Sequence, residues 1–71
     1  MLWIILTNES ASHQIIGANV AVKDDIYEMW ITRPGNKGLK IKESPDKKEV
    51  MLYKDAIDYA IKQGESVLEL D

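Results

Sequence analysis

Ser44–Gly64 (SPDKKEVMLYKDAIDYAIKQG) is the stretch of this 71-residue sequence that decides the fold, because its apolar residues recur at helical spacing over several turns. At 100° per residue, five of its apolar residues fall within an arc of about 100°, the usual width of a helix face packed on a core. The pattern therefore predicts a long helix that covers a sheet. The five residues are Val50, Tyr53, Ile57, Ala60 and Ile61.

Both ends of this stretch carry residues typical of helix boundaries. Ser44 followed by Pro45 is one signal for the start, and Asp46 with Glu49 three residues later is a second signal two residues away. Gly64 supplies the left-handed residue that ends many helices. We therefore expect a single helix that begins at 44–46 and ends at Gly64.

A shorter helix is the alternative interpretation of the same residues. In that interpretation residues 49–53 form a strand and the helix begins near Lys54. Leu52 or Tyr53 would then be the N-cap, and neither side chain can accept the N–H groups of a first turn. The long helix is therefore favoured.

Met51, Leu52 and Tyr59 lie outside the apolar stripe of the predicted helix. One explanation is a sheet that curls around the helix, since scattered apolar residues are common on protein surfaces. The other explanation is an interface with a second subunit or a partner. These three residues are therefore the predicted interaction site.

Five further segments are predicted to form strands, four before the helix and one after it. The order β-β-β-β-α-β predicts an α+β fold in one domain spanning residues 1–71, with a mostly antiparallel sheet and one helix on one face. A helix before the last strand allows a right-handed crossover, so that strand is expected to lie parallel to a neighbour. The segments are Leu2–Leu6, Gln14–Lys23, Ile26–Arg33, Leu39–Glu43 and Ser66–Leu70.

The first two strands and their connection carry specific expectations. Leu2–Leu6 is continuously apolar, which is typical of a central strand buried on both faces. The polar residues 8–12 predict a loop, and His13 beside them is expected to be an exposed polar residue rather than a ligand. In Gln14–Lys23, Gly17 indicates a bulge or a close backbone contact. That strand places Ile16, Ala18, Val20 and Val22 on one face.

The third and fourth strands are framed by two turns. Asp24 and Asp25 suit the positive φ angles of a two-residue hairpin loop. In Ile26–Arg33, one face is apolar with Tyr27, Met29 and Ile31, while the other is mixed and carries Trp30, which we expect to be packed. The loop Arg33–Gly38 leads into Leu39–Glu43, a short alternating strand whose lysines protect a sheet edge.

Composition bounds the function classes. The chain has no cysteine, one histidine and no nucleotide-binding glycine pattern, so we expect no catalytic triad, zinc site or cofactor, and no enzyme. Met1–Leu6 is too short for a membrane span or signal peptide, and with the lack of cysteine it predicts a soluble cytoplasmic protein. Residues 33–48 hold six basic and two acidic residues, and the remainder has a balance of −7. This gives the molecule a basic end and an acidic body.

Two functional hypotheses remain. The first is a small non-catalytic protein-interaction module that self-associates as a homodimer, or binds another protein as an accessory, regulator or inhibitor. The second is nucleic-acid or phosphate binding through the basic hairpin 33–42, with Trp30 or Tyr27 as a stacking platform. We favour the first because the net charge is −3 and aromatic residues are few. The predicted residues of the second site are Trp30, Arg33, Gly35, Lys37, Gly38, Lys40 and Lys42.

Overall fold

The computed structural model describes residues 1–71 and has an α+β fold with six strands and one helix. The predicted class, with mostly antiparallel strands and a single helix, is confirmed. Five strands rather than four precede the helix. The elements are β1 (Leu2–Leu6), β2 (Ala11–Ile15), β3 (Gly17–Lys23), β4 (Ile26–Arg33), β5 (Lys37–Ser44), α1 (Lys47–Lys62) and β6 (Val67–Leu70).

The strands form two three-stranded sheets. Sheet A has the order β2-β1-β6, in which β1 is antiparallel to β2 and parallel to β6. Sheet B is an antiparallel meander in the order β3-β4-β5. The helix joins β5 of sheet B to β6 of sheet A, so the expected parallel placement of the last strand is confirmed.

The predicted strand Gln14–Lys23 is wrong in its continuity, because the chain bends at Ile16 and passes from one sheet to the other. The backbone N–H of Ile16 donates to the carbonyl of Thr32 at 2.8 Å, so β3 pairs with β4 while β2 pairs with β1. Strands that change sheets commonly do so at such a bend. Ala18, Val20 and Val22 share one face of β3, as predicted, because they lie opposite Ile31, Met29 and Tyr27 of β4. Ala18 and Val20 pack against the core, whereas Val22 near the end of the strand is exposed and Ile16 lies outside the strand at the bend.

The bend changes the interpretation of two other residues. A Cβ atom at Gly17 would have no heavy atom within 4 Å, so this glycine marks the corner and makes no close backbone contact. Because β2 begins at Ala11, the loop is shorter than predicted. His13 therefore lies inside β2 opposite Ile4 and is half-buried, which corrects its expected exposed position beside a loop.

One apolar core lies between the two sheets and the helix, and α1 contacts β3, β4, β5 and β6. Ile4 of sheet A, Met29 and Ile31 of sheet B, and Val50 and Ile57 of α1 are fully buried. Burial of each such side chain stabilises the fold by roughly 1.5–3 kcal/mol. The buried apolar set also includes Leu2, Leu6, Ile15, Ala60 and Leu70. Tyr27 packs beside it, so the predicted core face of β4 is confirmed.

β1 is the central strand of sheet A, as predicted, but the prediction that it is buried on both faces is wrong. Leu2, Ile4 and Leu6 face the core, whereas Trp3 is 44% exposed and Ile5 is half-buried. The physical reason is that the core covers only one face of sheet A. The other face of the sheet is open to solvent.

The long helix is confirmed, and the alternative strand over residues 49–53 is wrong. Asp46 is the N-cap, and its side chain accepts the backbone N–H of Lys48 at 2.9 Å. At the other end Gly64 has φ +69°, its N–H donates to Ile61, and the N–H of Glu65 donates to Ala60. This pair of bonds is the Schellman motif, which satisfies the last carbonyl groups of a helix.

The helix face is narrower than the sequence pattern predicts. Val50, Ile57 and Ala60 are buried and Tyr53 is half-buried, but Ile61 in the last turn is exposed. Ile61 instead lines an open hollow of about 340 Å³ with Met1 and Ile16. The helix is neither long nor apolar enough to span a bilayer.

The two hairpins of sheet B differ in regularity. Asp24 and Asp25 have φ angles of +51° and +63° between the paired residues Lys23 and Ile26, which confirms the predicted two-residue loop. In β5 the expected alternation is interrupted by a bulge at Ile41. Met29 of β4 pairs with Lys42 and Trp30 pairs with Lys40, so Ile41 is the extra residue.

Candidate interaction surfaces

The open face of sheet A carries three neighbouring apolar side chains, Trp3, Ile5 and Val67, which we call the Trp3 face. Trp3 is directly opposite Val67 in the β1–β6 register, and Ile5 lies two residues further along β1. Trp3 is 44% and Val67 is 50% exposed. Tryptophan is enriched among the residues that contribute most to protein–protein binding.

Sequence reasoning missed the Trp3 face because Leu2–Leu6 shows no polar alternation. One signal was available, since the pattern of Ser66–Leu70 places Val67 on the opposite face from Leu68 and Leu70. Only the parallel pairing of β6 with β1 shows that Val67 lies beside Trp3. That pairing joins residues 64 positions apart, so a local sequence pattern cannot predict that Trp3 and Val67 are neighbours.

The predicted interaction residues on α1 form a second, smaller surface. Leu52 is 70% and Tyr59 is 62% exposed. Seven residues apart, they lie on the same side of the helix, about 10 Å from each other along its axis. Met51 is half-buried and lies about 100° around the helix axis from Leu52, so it is not part of this pair. We call Leu52 and Tyr59 the helix pair.

The solvent face of sheet B is organised around Trp30. Its indole Nε1 donates to Glu28 Oε1 at 3.2 Å, and its ring packs on Gly38, where an added Cβ would lie 3.4 Å from the ring carbon Cε3. Lys40 Nζ reaches Glu28 Oε2 at 3.5 Å and Glu43 Oε1 at 3.2 Å. A shallow hollow of about 350 Å³ lies over this network.

The network shifts the protonation equilibria of two of its members. The indole N–H of Trp30 is the main cause that lowers the pKa of Glu28, and the charge of Lys40 adds to it against partial desolvation. The hydrogen bond to Glu43 is the main cause that raises the pKa of Lys40. Both shifts favour the charged forms, so Glu28 and Lys40 compensate each other's charge.

The residues predicted for anion or nucleic-acid binding are divided between the two faces of sheet B. Trp30, Gly38 and Lys40 lie together on the solvent face, where Lys40 contacts two carboxylates. Lys42 lies on the helix side, because the bulge at Ile41 reverses its orientation. Its Nζ atom is 5.4 Å from the centre of the Tyr53 ring.

The other members of that predicted site lie at the tip of the hairpin. Arg33 pairs with Lys37 across a three-residue loop in which Gly35 has φ +85°. The Nε atom of Arg33 is buried without a hydrogen-bond partner. Tyr27, the second predicted stacking residue, lies against the core and not beside Trp30.

No group of three or more histidine, aspartate or glutamate side chains is placed to hold a metal ion. Comparison with known proteins gave no match to a family model, to a curated protein or to a solved structure.

Proposed function

We propose that this chain is a small non-catalytic protein-interaction module that binds another protein chain through the Trp3 face. The observation that carries the proposal is the exposed Trp3 with Val67 directly beside it on an uncovered sheet face. A tryptophan flanked by an aliphatic side chain offers a large apolar contact at little conformational cost.

The proposal includes the homodimer expected from the sequence, as well as a complex in which the chain is an accessory, regulator or inhibitor of a different protein. The helix pair is the second surface available for such contacts. Its two side chains are separated by about two helical turns, so it presents a less continuous apolar area than the Trp3 face.

Charge distribution favours this function over nucleic-acid binding. Neutralising phosphates requires free lysine and arginine side chains on one surface. In the hairpin, Lys40 contacts Glu28 and Glu43, and Lys42 lies on the opposite side of the sheet. We therefore do not propose the hairpin as a nucleic-acid site.

The test compares the wild-type chain with Trp3→Ser and Val67→Ser by light scattering on a size-exclusion column and by affinity capture from source cells. We expect the wild type to form a dimer or to retain a specific protein, and both variants to lose that complex. Val22→Ser is the matched control, because Val22 is also exposed, 61% against 50% for Val67, but lies on sheet B.

Two results would contradict the proposal. One is a chain that stays monomeric up to about 1 mM, where the association free energy would be weaker than about −4 kcal/mol, and retains no protein. The other is a complex that Trp3→Ser and Val67→Ser leave intact. If Leu52→Ser and Tyr59→Ser abolish that complex instead, the helix pair rather than the Trp3 face is the binding surface.

A further inference from the structure

The outer edge of β6 presents a row of backbone groups that no other strand of the chain uses. The N–H of Trp3 donates to Ser66 and the N–H of Thr7 donates to Leu70, each at 2.9 Å. In a parallel pair, alternate residues of one strand bond to the other, so Ser66, Leu68 and Leu70 face β1. The N–H and C=O groups of Val67 and Glu69 therefore point away from the sheet.

This edge is accessible. β6 has β1 as its single neighbour in sheet A, and the side chains of Val67 and Glu69 are both exposed. The helix contacts β6 from the core side, where Leu70 is buried. An unpaired strand edge beside an apolar face is a template for the addition of another strand.

The negative charge along the β6 edge determines which kind of strand can pair with it. Residues 63–71 contain Glu65, Glu69 and Asp71 and no basic residue. Antiparallel pairing with a second copy about a two-fold axis at Leu68 would place Glu65 opposite Asp71 of that copy. Like charges directly opposite each other destabilise a pair of strands, so the edge disfavours its own copy.

We propose that the β6 edge binds an extended segment of a partner protein by strand addition, and that this segment carries lysine or arginine flanking an apolar residue. This inference rests on the proposed function and specifies its partner. The backbone of the segment bonds to Val67 and Glu69. Its apolar side chain lies beside Val67 on the Trp3 face, and its basic side chains lie near Glu65 and Glu69.

The experiment is an NMR titration of the whole ¹⁵N-labelled chain with the capped peptide acetyl-Thr-Lys-Thr-Val-Thr-Lys-Thr-amide. We expect the amide protons of Val67 and Glu69 to shift downfield as they gain a partner. The amides of Leu68 and Leu70 already bond to β1, so they are internal controls that shift little. Higher ionic strength weakens the binding, because the charges are exposed.

Two control peptides separate the parts of the proposal. A peptide with glutamate in place of lysine tests the charge, and a peptide methylated on its central backbone nitrogens cannot form strand hydrogen bonds. We expect neither to bind. In the protein, Glu69→Lys weakens binding of the lysine peptide about fivefold, the effect of one charge contact. Asp55→Lys makes the same change in net charge on α1 and leaves binding unchanged.

The outcomes distinguish failure of this inference from failure of the proposed function. If the methylated peptide binds as well as the original, or the original binds without shifting the Val67 and Glu69 amides, strand addition is wrong while binding at the Trp3 face stands. If the lysine peptide does not bind at low salt, the edge inference is overturned, and the light-scattering and capture experiments still judge the interaction module.

Discussion

The pKa of the Glu28 carboxylate depends on the residues that surround it. Its pKa lies below the ordinary value of 4.5, chiefly because Trp30 donates a hydrogen bond to its charged form. A lowered folded-state pKa stabilises the fold at pH values above the unfolded pKa. This contribution is complete above about pH 4.5 and is lost as the pH falls through the lower folded-state pKa.

We therefore predict that Trp30→Phe raises the pKa of Glu28 toward 4.5, because the aromatic ring is kept while the N–H donor is removed. The measurement is a carboxyl ¹³C NMR titration of Glu28. Trp3→Phe is the control, since Trp3 lies on the other sheet and should leave the titration unchanged. An unaltered Glu28 pKa in Trp30→Phe would show that the indole hydrogen bond does not govern it.

Trp3 and Ile4 are adjacent in β1 but have opposite environments, 44% and 0% exposed. We predict that Ile4→Ala destabilises the chain by about 2–5 kcal/mol, because it leaves a cavity in the core. Trp3→Ser should cost less than about 1 kcal/mol, as is usual for surface substitutions. Urea unfolding measures both changes.

Equal losses of stability in Ile4→Ala and Trp3→Ser would mean that Trp3 supports the fold rather than a contact with a partner. A domain of this size has little stability to lose, so Ile4→Ala alone can unfold it. Ile4→Val, which removes one methylene and costs about 0.5–1.5 kcal/mol, then provides the measurable comparison.

At the scale of the elements, the end of α1 depends on a backbone conformation that favours glycine. Gly64 has φ +69° and completes the Schellman motif. We predict that Gly64→Ala destabilises the chain by about 1–2 kcal/mol, because a Cβ is strained in the left-handed region. Thermal unfolding measures the change, and 1 kcal/mol corresponds to about 4–8 °C in a domain of this size.

Gly17→Ala is the matched control for that substitution. Gly17 has no positive φ, and a Cβ there would meet nothing within 4 Å, so the change should be nearly neutral. If Gly64→Ala proves as harmless as Gly17→Ala, the left-handed glycine is not needed to end the helix.

Local chemistry explains which elements the sequence predicts. The cap at Asp46, the glycine at 64 and the turn at Asp24–Asp25 act through groups a few residues apart, and all three were predicted. Gly17 indicates an irregularity beside the bend at Ile16, but nothing local predicts that the chain changes sheets there. The bulge at Ile41 is not predicted, because it lies inside an alternating pattern that continues past it. The positions of the bend and the bulge are set by pairing with Thr32 and Trp30, on other strands.

The candidate site, too, has one part that local sequence predicts and another that depends on the pairing of distant strands. The exposure of Leu52 and Tyr59 follows from the angle between them and the apolar stripe, which a single helix determines. The Trp3 face requires β1, β6 and a core that covers one side of their sheet. The basic hairpin looked continuous in sequence, yet one extra residue at Ile41 places Lys40 and Lys42 on opposite faces.

At the scale of the whole molecule, the two sheets share no strand pairing, and the core and α1 hold them together. Ile4 of sheet A, Met29 of sheet B and Ile57 of α1 belong to one buried cluster. Neither sheet can bury its apolar face without the other. The bend at Ile16 joins β2 of sheet A to β3 of sheet B and so keeps the two sheets adjacent, but it buries little apolar surface of its own.

We therefore predict that both sheets unfold in a single transition. The chain has one tryptophan on each sheet, so Trp30→Phe leaves fluorescence that reports sheet A, and Trp3→Phe leaves fluorescence that reports sheet B. Within each variant, the fluorescence midpoint in urea should coincide with the midpoint of the helical circular-dichroism signal, as two-state unfolding requires. If sheet A instead loses its signal before the helix does, its packing against the core is weaker than the burial of Ile4 and Leu6 implies. The Trp3 face would then belong to a unit that opens locally, before the rest of the molecule unfolds.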